Sequence, residues 1–285
     1  MVILVTGGSG FIGSHVVDKL LDCDYEVRVF DIQKPHRNDV EFFKGDIRSL
    51  DELKLAMNDV DFVFHIAAFS NINKVSANPL QTIDLNIMST AKVLESARNY
   101  KVERVLFASS EYVHGNRGHL YTTSKIASER ICKDYNTLYG LSYTILRYST
   151  AYGPRSRGED VVSLFVQQAI SNQPITIHGT GNQYRNFIYV EDLALGNVAA
   201  LQKIAKNKTY ELGNTIPITI KEVAETINRL FGNKLDIVYD YARFDDYEGT
   251  FVSSNLAEKE LNWKAKTDFE EGVKKYIDSI KGDYI

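Results

Sequence analysis

Cysteine is scarce: Cys23 and Cys132 are the only two in 285 residues, and they form no Cys-x-x-C. That excludes a thiol-rich zinc site and fits a reducing compartment, with each thiol a plain core or surface residue. No metal site is expected. Long apolar runs are missing as well, since none approaches the roughly 20 residues that cross a bilayer. Met1 leads straight into Val2-Ile3-Leu4-Val5, without a basic leader, a long apolar stretch or a cleavage site. Neither a membrane partner nor a secretory signal is expected, and the cytoplasm is the expected location. An excess of basic charge is absent too. The formal net charge of −4 argues against a nucleic-acid partner, and the small cluster Lys203, Lys206 and Lys208 reads as a solvated helix end.

What remains is the composition of an ordinary globular chain, 44% hydrophobic and 25% charged, which suffices for a sizeable core. Short apolar runs at Val2–Val5, Glu26–Phe30, Asp61–Ile66, Val105–Ala108 and Ser142–Leu146 read as strands. Helical patterns lie between them at Gly10–Leu21, Leu50–Met57, Pro79–Tyr100 and Thr122–Leu138. Strands alternating with helices imply βαβ crossovers, hence an α/β fold with a doubly wound parallel sheet of Rossmann type. After Pro154 the rhythm loosens. Strand candidates Ile175–His178, Asn186–Val190 and Leu235–Tyr239 mix with helices Val161–Ser171, Ile220–Leu230 and Phe269–Ile280. A smaller interleaved α/β substrate lobe, about 156–186 plus 216–285, would account for the change. The dinucleotide domain would then hold 1–155 plus about 187–215.

Gly7-Gly8-Ser9-Gly10-Phe11-Ile12-Gly13 follows the first strand and opens the first helix. A tight turn and a close approach of backbone to a pyrophosphate both require residues without side chains. The helix N-terminus then offers free N–H groups to the phosphates. A glycine turn alone is weak evidence, but an acid follows at the right place. Asp31 ends the second strand, where its carboxylate can accept from ribose hydroxyls and would repel a 2′-phosphate. The expected cofactor is therefore NAD. Asp46-Ile47 could contact the adenine, and a simple turn aspartate explains the position about as well.

Tyr121 and Lys125 form the only Tyr-x-x-x-Lys in the chain. Their i, i+4 spacing places both on one helix face, where an ammonium would stabilise a phenolate and pull the tyrosine pKa towards neutrality. A solvated lysine on an amphipathic helix explains the spacing equally well. Ser109-Ser110 adds weight, because it follows the strand Val105–Ala108 at the end that faces the ligand crevice.

With these motifs in place, the sequence resembles the extended short-chain dehydrogenase/reductases, the NAD-dependent epimerase/dehydratase group, along nearly its whole length. Gly7-x-x-Gly10-x-x-Gly13 is similar to the cofactor loop of that family, and His65-Ile66-Ala67-Ala68 to its fourth-strand motif. Asn86, before Ser89-Thr90, is similar to a site-supporting helix asparagine, and Tyr121-Thr122-Thr123-Ser124-Lys125 to the catalytic pair. Leu146-Arg147 and Ala151-Tyr152-Gly153-Pro154-Arg155 resemble the entry into the sugar-nucleotide lobe. The segment from Gly179 to Asp192 resembles the one whose arginine, here Arg185, grips the substrate diphosphate. Arg243-x-x-Asp246 resembles a nucleotide contact, and Glu260-Leu261-Asn262-Trp263 matches the family's ending. The resemblance implies a nucleotide-sugar substrate, with a UDP-hexose as the first expectation. It also implies a homodimer formed by Pro79–Tyr100 and Thr122–Leu138, to which Ile126, Ile131 and Leu138 would contribute.

Three departures bear on the reaction. Thr150 stands where the family has an asparagine, and the Asn116–Leu120 connection is short. His114 replaces a usual tyrosine and reads as a packing or hydrogen-bonded substitute. The 4,6-dehydratases of the family carry Asp-Glu where this chain has Glu111-Tyr112, which makes dehydration a poor fit. A 4-epimerase needs only Tyr121, Lys125, Ser110 and a retained cofactor, and it is the leading expectation. Here Tyr121 would take the C4 hydroxyl proton, aided by Ser110, and the keto sugar would turn over while Arg185 and Arg243 hold the diphosphate. The alternative is a net NAD(H)-dependent oxidoreductase, supported by the likeness of Ser110-Glu111-Tyr112-Val113 to dTDP-4-dehydrorhamnose reductases. A non-catalytic dinucleotide sensor would be expected to lose Tyr121 or Lys125. Thr250 aligns with a gatekeeper near the sugar C2 substituent, and its small size predicts that UDP-N-acetylhexosamines are accepted.

Overall fold

The structure, a computed structural model of the 285-residue chain, describes residues 1–115, 119–241 and 249–282. In chain order the strands are β1 (Val2–Thr6), β2 (Glu26–Asp31), β3 (Glu41–Lys44), β4 (Phe62–His65), β5 (Arg104–Ser110), β6 (Ser142–Tyr148), β7 (Thr150–Tyr152), β8 (Ile175–His178), β9 (Tyr184–Arg185), β10 (Phe187–Tyr189), β11 (Lys208–Leu212), β12 (Ile218–Thr219) and β13 (Ile237–Asp240). The helices are α1 (Phe11–Leu21), α2 (Leu50–Ala56), α3 (Ile72–Ala77), α4 (Pro79–Ile83), α5 (Ser89–Asn99), α6 (Leu120–Tyr139), α7 (Val161–Ile170), α8 (Val190–Ala199), α9 (Ile220–Leu230), α10 (Asn255–Leu261) and α11 (Phe269–Gly282).

Seven strands form one parallel sheet in the order β11-β6-β5-β4-β1-β2-β3. β4 and β5 are buried at every residue, as expected of central strands covered on both faces. Alternation along β1 sends Ile3 and Val5 to one face and Leu4 to the other. On the first face Val16, Val17 and Leu20 of α1 pack with Leu193 of α8 and Trp263. On the second, Met57 joins Leu53 of α2, Val93 and Leu94 of α5, and Cys132 of α6. The strand order reverses direction between β1 and β4, so the crevice for a ligand opens at the C-terminal ends of those strands.

A third apolar cluster gathers Tyr152, Phe165, Phe187, Ile227 and Val273 around the small pairs β7–β10 and β8–β13. α9 there begins with a full capping box, Thr219 and Glu222 satisfying each other's backbone N–H groups. Among the described residues no helix is long and apolar enough to cross a membrane.

The stretch read as one helix from Pro79 to Tyr100 is α4, a π turn at Asp84–Met88, and α5. At this wider turn the Thr90 and Ser128 hydroxyls both donate to the Asn86 carbonyl. α3, α8, α10 and β11 were not expected from the sequence pattern. α8 lacks an amphipathic stripe because most of its surface is covered, packing closely against α1.

Candidate active site

Gly7 turns the chain out of β1 with φ +75°, and a side chain there would place its Cβ 2.7 Å from the Ala67 amide nitrogen. Gly13 is constrained more tightly still: a Cβ would lie 2.0 Å from the Gly7 carbonyl oxygen. The loop closes on itself through the Gly10 N–H to the Gly7 carbonyl, 3.0 Å. α1 starts after Gly10 without a side-chain cap, so the first-turn amides at Phe11, Ile12 and Gly13 face a ligand rather than a capping oxygen. At the end of β2 the Asp31 carboxylate accepts from the Ser9 N–H and the Gln33 N–H, both at 3.0 Å, which holds it at the cleft edge. These residues line one cleft of about 1190 Å³ together with Asp46, Ile47, Ala67 and Ala68. Asp46 is paired with Arg48 at 2.6 Å, and that guanidinium holds its carboxyl below the usual range. The cradle fits a dinucleotide: close-approach glycines, uncapped amides for a diphosphate, and an anchored carboxylate for ribose hydroxyls.

Asn86, expected among the cofactor contacts, sits behind this wall. Its side chain is buried, accepts from the Phe69 N–H at 2.7 Å, and donates to the Phe69 carbonyl and the Ser124 hydroxyl at 3.0 Å. It therefore positions the loop after β4 against α6. His65 has a similar structural place, neutral between the Thr6 and Thr90 hydroxyls because burial pushes its pKa down to about 3.

The same cleft continues to the end of β5 and the start of α6, where Ser110, Tyr121 and Lys125 meet. The Ser110 hydroxyl, which accepts from the Tyr112 N–H at 3.3 Å, stands beside the Tyr121 hydroxyl and acts to lower its pKa. Lys125 lies one turn further along α6, its Nζ 5.7 Å from the Tyr121 ring centre and 2.7 Å from the Ala108 carbonyl, to which it donates. Burial lowers the lysine to a pKa of about 8. The tyrosine moves the opposite way to expectation: burial, with Tyr112 alongside, raises its pKa, and the Ser110 hydroxyl offsets only part of this. In the protein alone, desolvation of the phenolate outweighs the nearby ammonium.

Glu111 follows Ser110 and is only 2% exposed. Its two oxygens accept from the Thr150 hydroxyl and the Asn186 amide, each at 3.0 Å. Burial raises its carboxyl pKa, with Asn186, Thr150, Ser149 and the charge of Arg185 opposing. Thr150, where the family has an asparagine, is thus committed to Glu111. Asn186 also donates to the Thr250 carbonyl at 2.7 Å, which ties the half-buried Thr250 segment to this wall. Arg185, on β9, lines the cleft and donates to the Tyr184 carbonyl at 2.8 Å. Arg243 and Asp246 lie outside the described residues.

Sequence reasoning missed Asn186 and a buried charge network beneath Ser109. Glu129 accepts from the Ser109 hydroxyl at 2.6 Å and from two Arg147 nitrogens at 2.8 Å. Arg147 also reaches Glu211 at 3.1 Å, and His114 shares that carboxylate at 2.8 Å, so His114 is hydrogen-bonded as expected. The one available signal was spacing, since Glu129 falls one turn after Lys125 on the same helix face.

Residues 3–213 match the NAD dependent epimerase/dehydratase family. The chain is 36% identical over 305 residues, 99% of each protein, to a Methanocaldococcus jannaschii protein provisionally named a UDP-glucose 4-epimerase. It superposes on the UDP-glucose 4-epimerase of Thermotoga maritima, solved with UDP-glucose, with a TM-score of 0.94 at 27% identity over 100% of both chains. The UDP-glucuronic acid 4-epimerase of Bacillus cereus, solved with UDP-glucuronic acid and NAD, gives 0.92 at 26%, again over 100% of both. With the glycine cradle, the anchored Asp31 and the Ser110–Tyr121–Lys125 set in one cleft, the chain belongs to the NAD dependent epimerase/dehydratase family, and its cofactor is NAD.

Proposed function

We propose that the protein is a nucleotide-sugar 4-epimerase that inverts C4 of a UDP-hexose through a transient 4-keto sugar. The observation that carries this reading is that Ser110, Tyr121 and Lys125 line one cleft with the glycine loop, Lys125 lying one helical turn beyond the tyrosine. Relatives and solved neighbours named as UDP-sugar 4-epimerases support it. When bound, NAD supplies a cationic hydride acceptor, and its charge favours the Tyr121 phenolate. Tyr121 takes the C4 hydroxyl proton in one half-reaction and returns it in the other. Ser110 orients the hydroxyl, and Lys125 holds the tyrosine side of the site. Arg185 grips the diphosphate by charge-assisted hydrogen bonds while the sugar turns; Arg243 and Asp246 would complete the nucleotide contacts.

The experiment is an incubation of purified protein, without added cofactor, with UDP-, dTDP- and GDP-sugars, products being followed by NMR. A C4-inverted sugar is expected. Stoichiometric consumption of added NADH, with no inversion in its absence, would overturn the reading in favour of a reductase.

Thr250 is proposed as the residue that admits a bulky C2 substituent. Thr250→Tyr is expected to lower kcat/KM for UDP-N-acetylhexosamines by about tenfold or more relative to plain UDP-hexoses. Equal losses on both classes would contradict that role.

A homodimer is proposed through α4, the π turn and α6. Leu80, Ile83, Met88 and Ile126 are exposed on these mutually packed segments, apolar side chains that a second copy would cover. Ile131, expected on the same face, is half-buried against the core, while Leu138, also expected there, is exposed. Sedimentation velocity is expected to show a dimer for the native protein and a monomer for Ile126→Glu. A native monomer at micromolar concentration would contradict the proposal.

A further inference from the structure

Glu111 is a buried carboxylate in the wall of a site whose ligand already carries a diphosphate, and the mechanism above gives it no task. Its hydrogen-bond donors favour the carboxylate against the burial that raises its pKa. The Asn186 side chain must present its NH₂ to the Thr250 carbonyl, which can only accept, and the same NH₂ donates to Glu111 Oε2 at 3.0 Å. The Thr150 hydroxyl donates to Oε1, also at 3.0 Å. Two donors on two oxygens suit the charged form of the acid. Asn186 Oδ1 is buried beside this group with no partner among the described residues, and the Ser149 hydroxyl stands close enough to favour the carboxylate. The wall next to Ser110 is therefore polar and holds a carboxyl whose donors favour its negative charge.

The cations that could offset that charge for a ligand are engaged. Lys125 donates to Ala108, and under the 4-epimerase reading, on which this inference rests, Arg185 is taken by the diphosphate. The one negative charge that a hexose ring itself can bring to this end of the cleft is a C6 carboxylate. We propose that Glu111 is a specificity-determining residue that restricts the enzyme to nucleotide sugars with an uncharged hexose and rejects nucleotide-linked uronic acids. The B. cereus neighbour was solved with UDP-glucuronic acid, so the discrimination separates this chain from close relatives in shape.

In a partly desolvated site, like-charge juxtaposition of this kind is worth on the order of ten- to a hundredfold in selectivity. The test compares kcat/KM for UDP-glucose and UDP-glucuronic acid in the native protein and in Glu111→Gln. Glutamine keeps the volume: its carbonyl can take the Asn186 donor while the Thr150 hydroxyl turns to accept. The native enzyme is expected to favour UDP-glucose by at least tenfold, and the variant to narrow the gap to a few-fold, with retained NAD and an unchanged circular dichroism spectrum showing that it is folded. Glu111→Ser is expected to narrow it likewise. Equal use of both sugars by the native enzyme, or an unchanged ratio in folded variants, would overturn the proposal while leaving the epimerase reading intact. If neither sugar is turned over, that reading fails by itself, and the ratio of dissociation constants for the two ligands by calorimetry decides the role of Glu111 by the same criteria.

Discussion

Tyr121→Phe is expected to lower kcat by about three orders of magnitude while NAD stays bound. The substitution removes one oxygen and leaves the ring, which packs edge-on against Tyr112 at 6.3 Å between centres and tilted against His119 at the same separation. The fold therefore has no reason to change. What is lost is the hydroxyl that carries the C4 proton in the proposed mechanism, beside Ser110 in the same cleft. Because the tyrosine acts on the reacting atom rather than in ground-state binding, the loss should fall on kcat and leave KM within a few-fold. Steady-state kinetics with a measurement of bound NAD per protomer checks both halves. Activity within tenfold of the native enzyme would remove Tyr121 from the chemistry.

Gly13→Ala is expected to strip the protein of NAD and so of activity. Inside a helix this change ordinarily stabilises by up to about 1 kcal/mol. Here the local geometry reverses the sign, since the new methyl carbon would lie 2.0 Å from the Gly7 carbonyl oxygen and 3.0 Å from the Gly8 Cα. The first turn of α1 and the glycine loop must move apart, and the amides that face the diphosphate move with them. A fall in NAD content of more than tenfold, with a lower Tm, is the expected outcome. An alanine variant that purifies with a full complement of NAD would show that the close approach at Gly13 is not what shapes the cradle.

These two positions were legible in the sequence because their chemistry is local. A strand, a glycine turn and a helix follow one another without interruption, and Tyr121 and Lys125 are one helical turn apart. Asp31 was readable because it closes the next strand. The sugar end of the cleft was not readable in the same way. Glu111 meets Thr150 across 39 residues and Asn186 across 75, and Asn186 reaches Thr250 across 64. No periodicity or spacing rule joins residues that only the closed sheet brings together. The π turn at Asp84–Met88 escaped for a different reason: its apolar pattern is that of a helix, and the Thr90 and Ser128 hydroxyls that meet at the Asn86 carbonyl, the latter from 42 residues away, leave no mark in that pattern. β11 was missed because an edge strand of Lys-Thr-Tyr-Glu-Leu buries only Tyr210 and Leu212, too few to mark a strand against the background. The direction of the Tyr121 pKa was misjudged because spacing reveals the ammonium but not how little water reaches the phenol.

In the proposed mechanism hydride leaves C4 and returns to it within one active site. The most direct measurement is proton NMR of UDP-glucose incubated with the purified protein in D₂O, with no cofactor added. The account predicts UDP-galactose that keeps a protium at C4, formed over many turnovers per protomer. Deuterium at C4, an accumulating ketone, or no inversion unless NADH is supplied would contradict it.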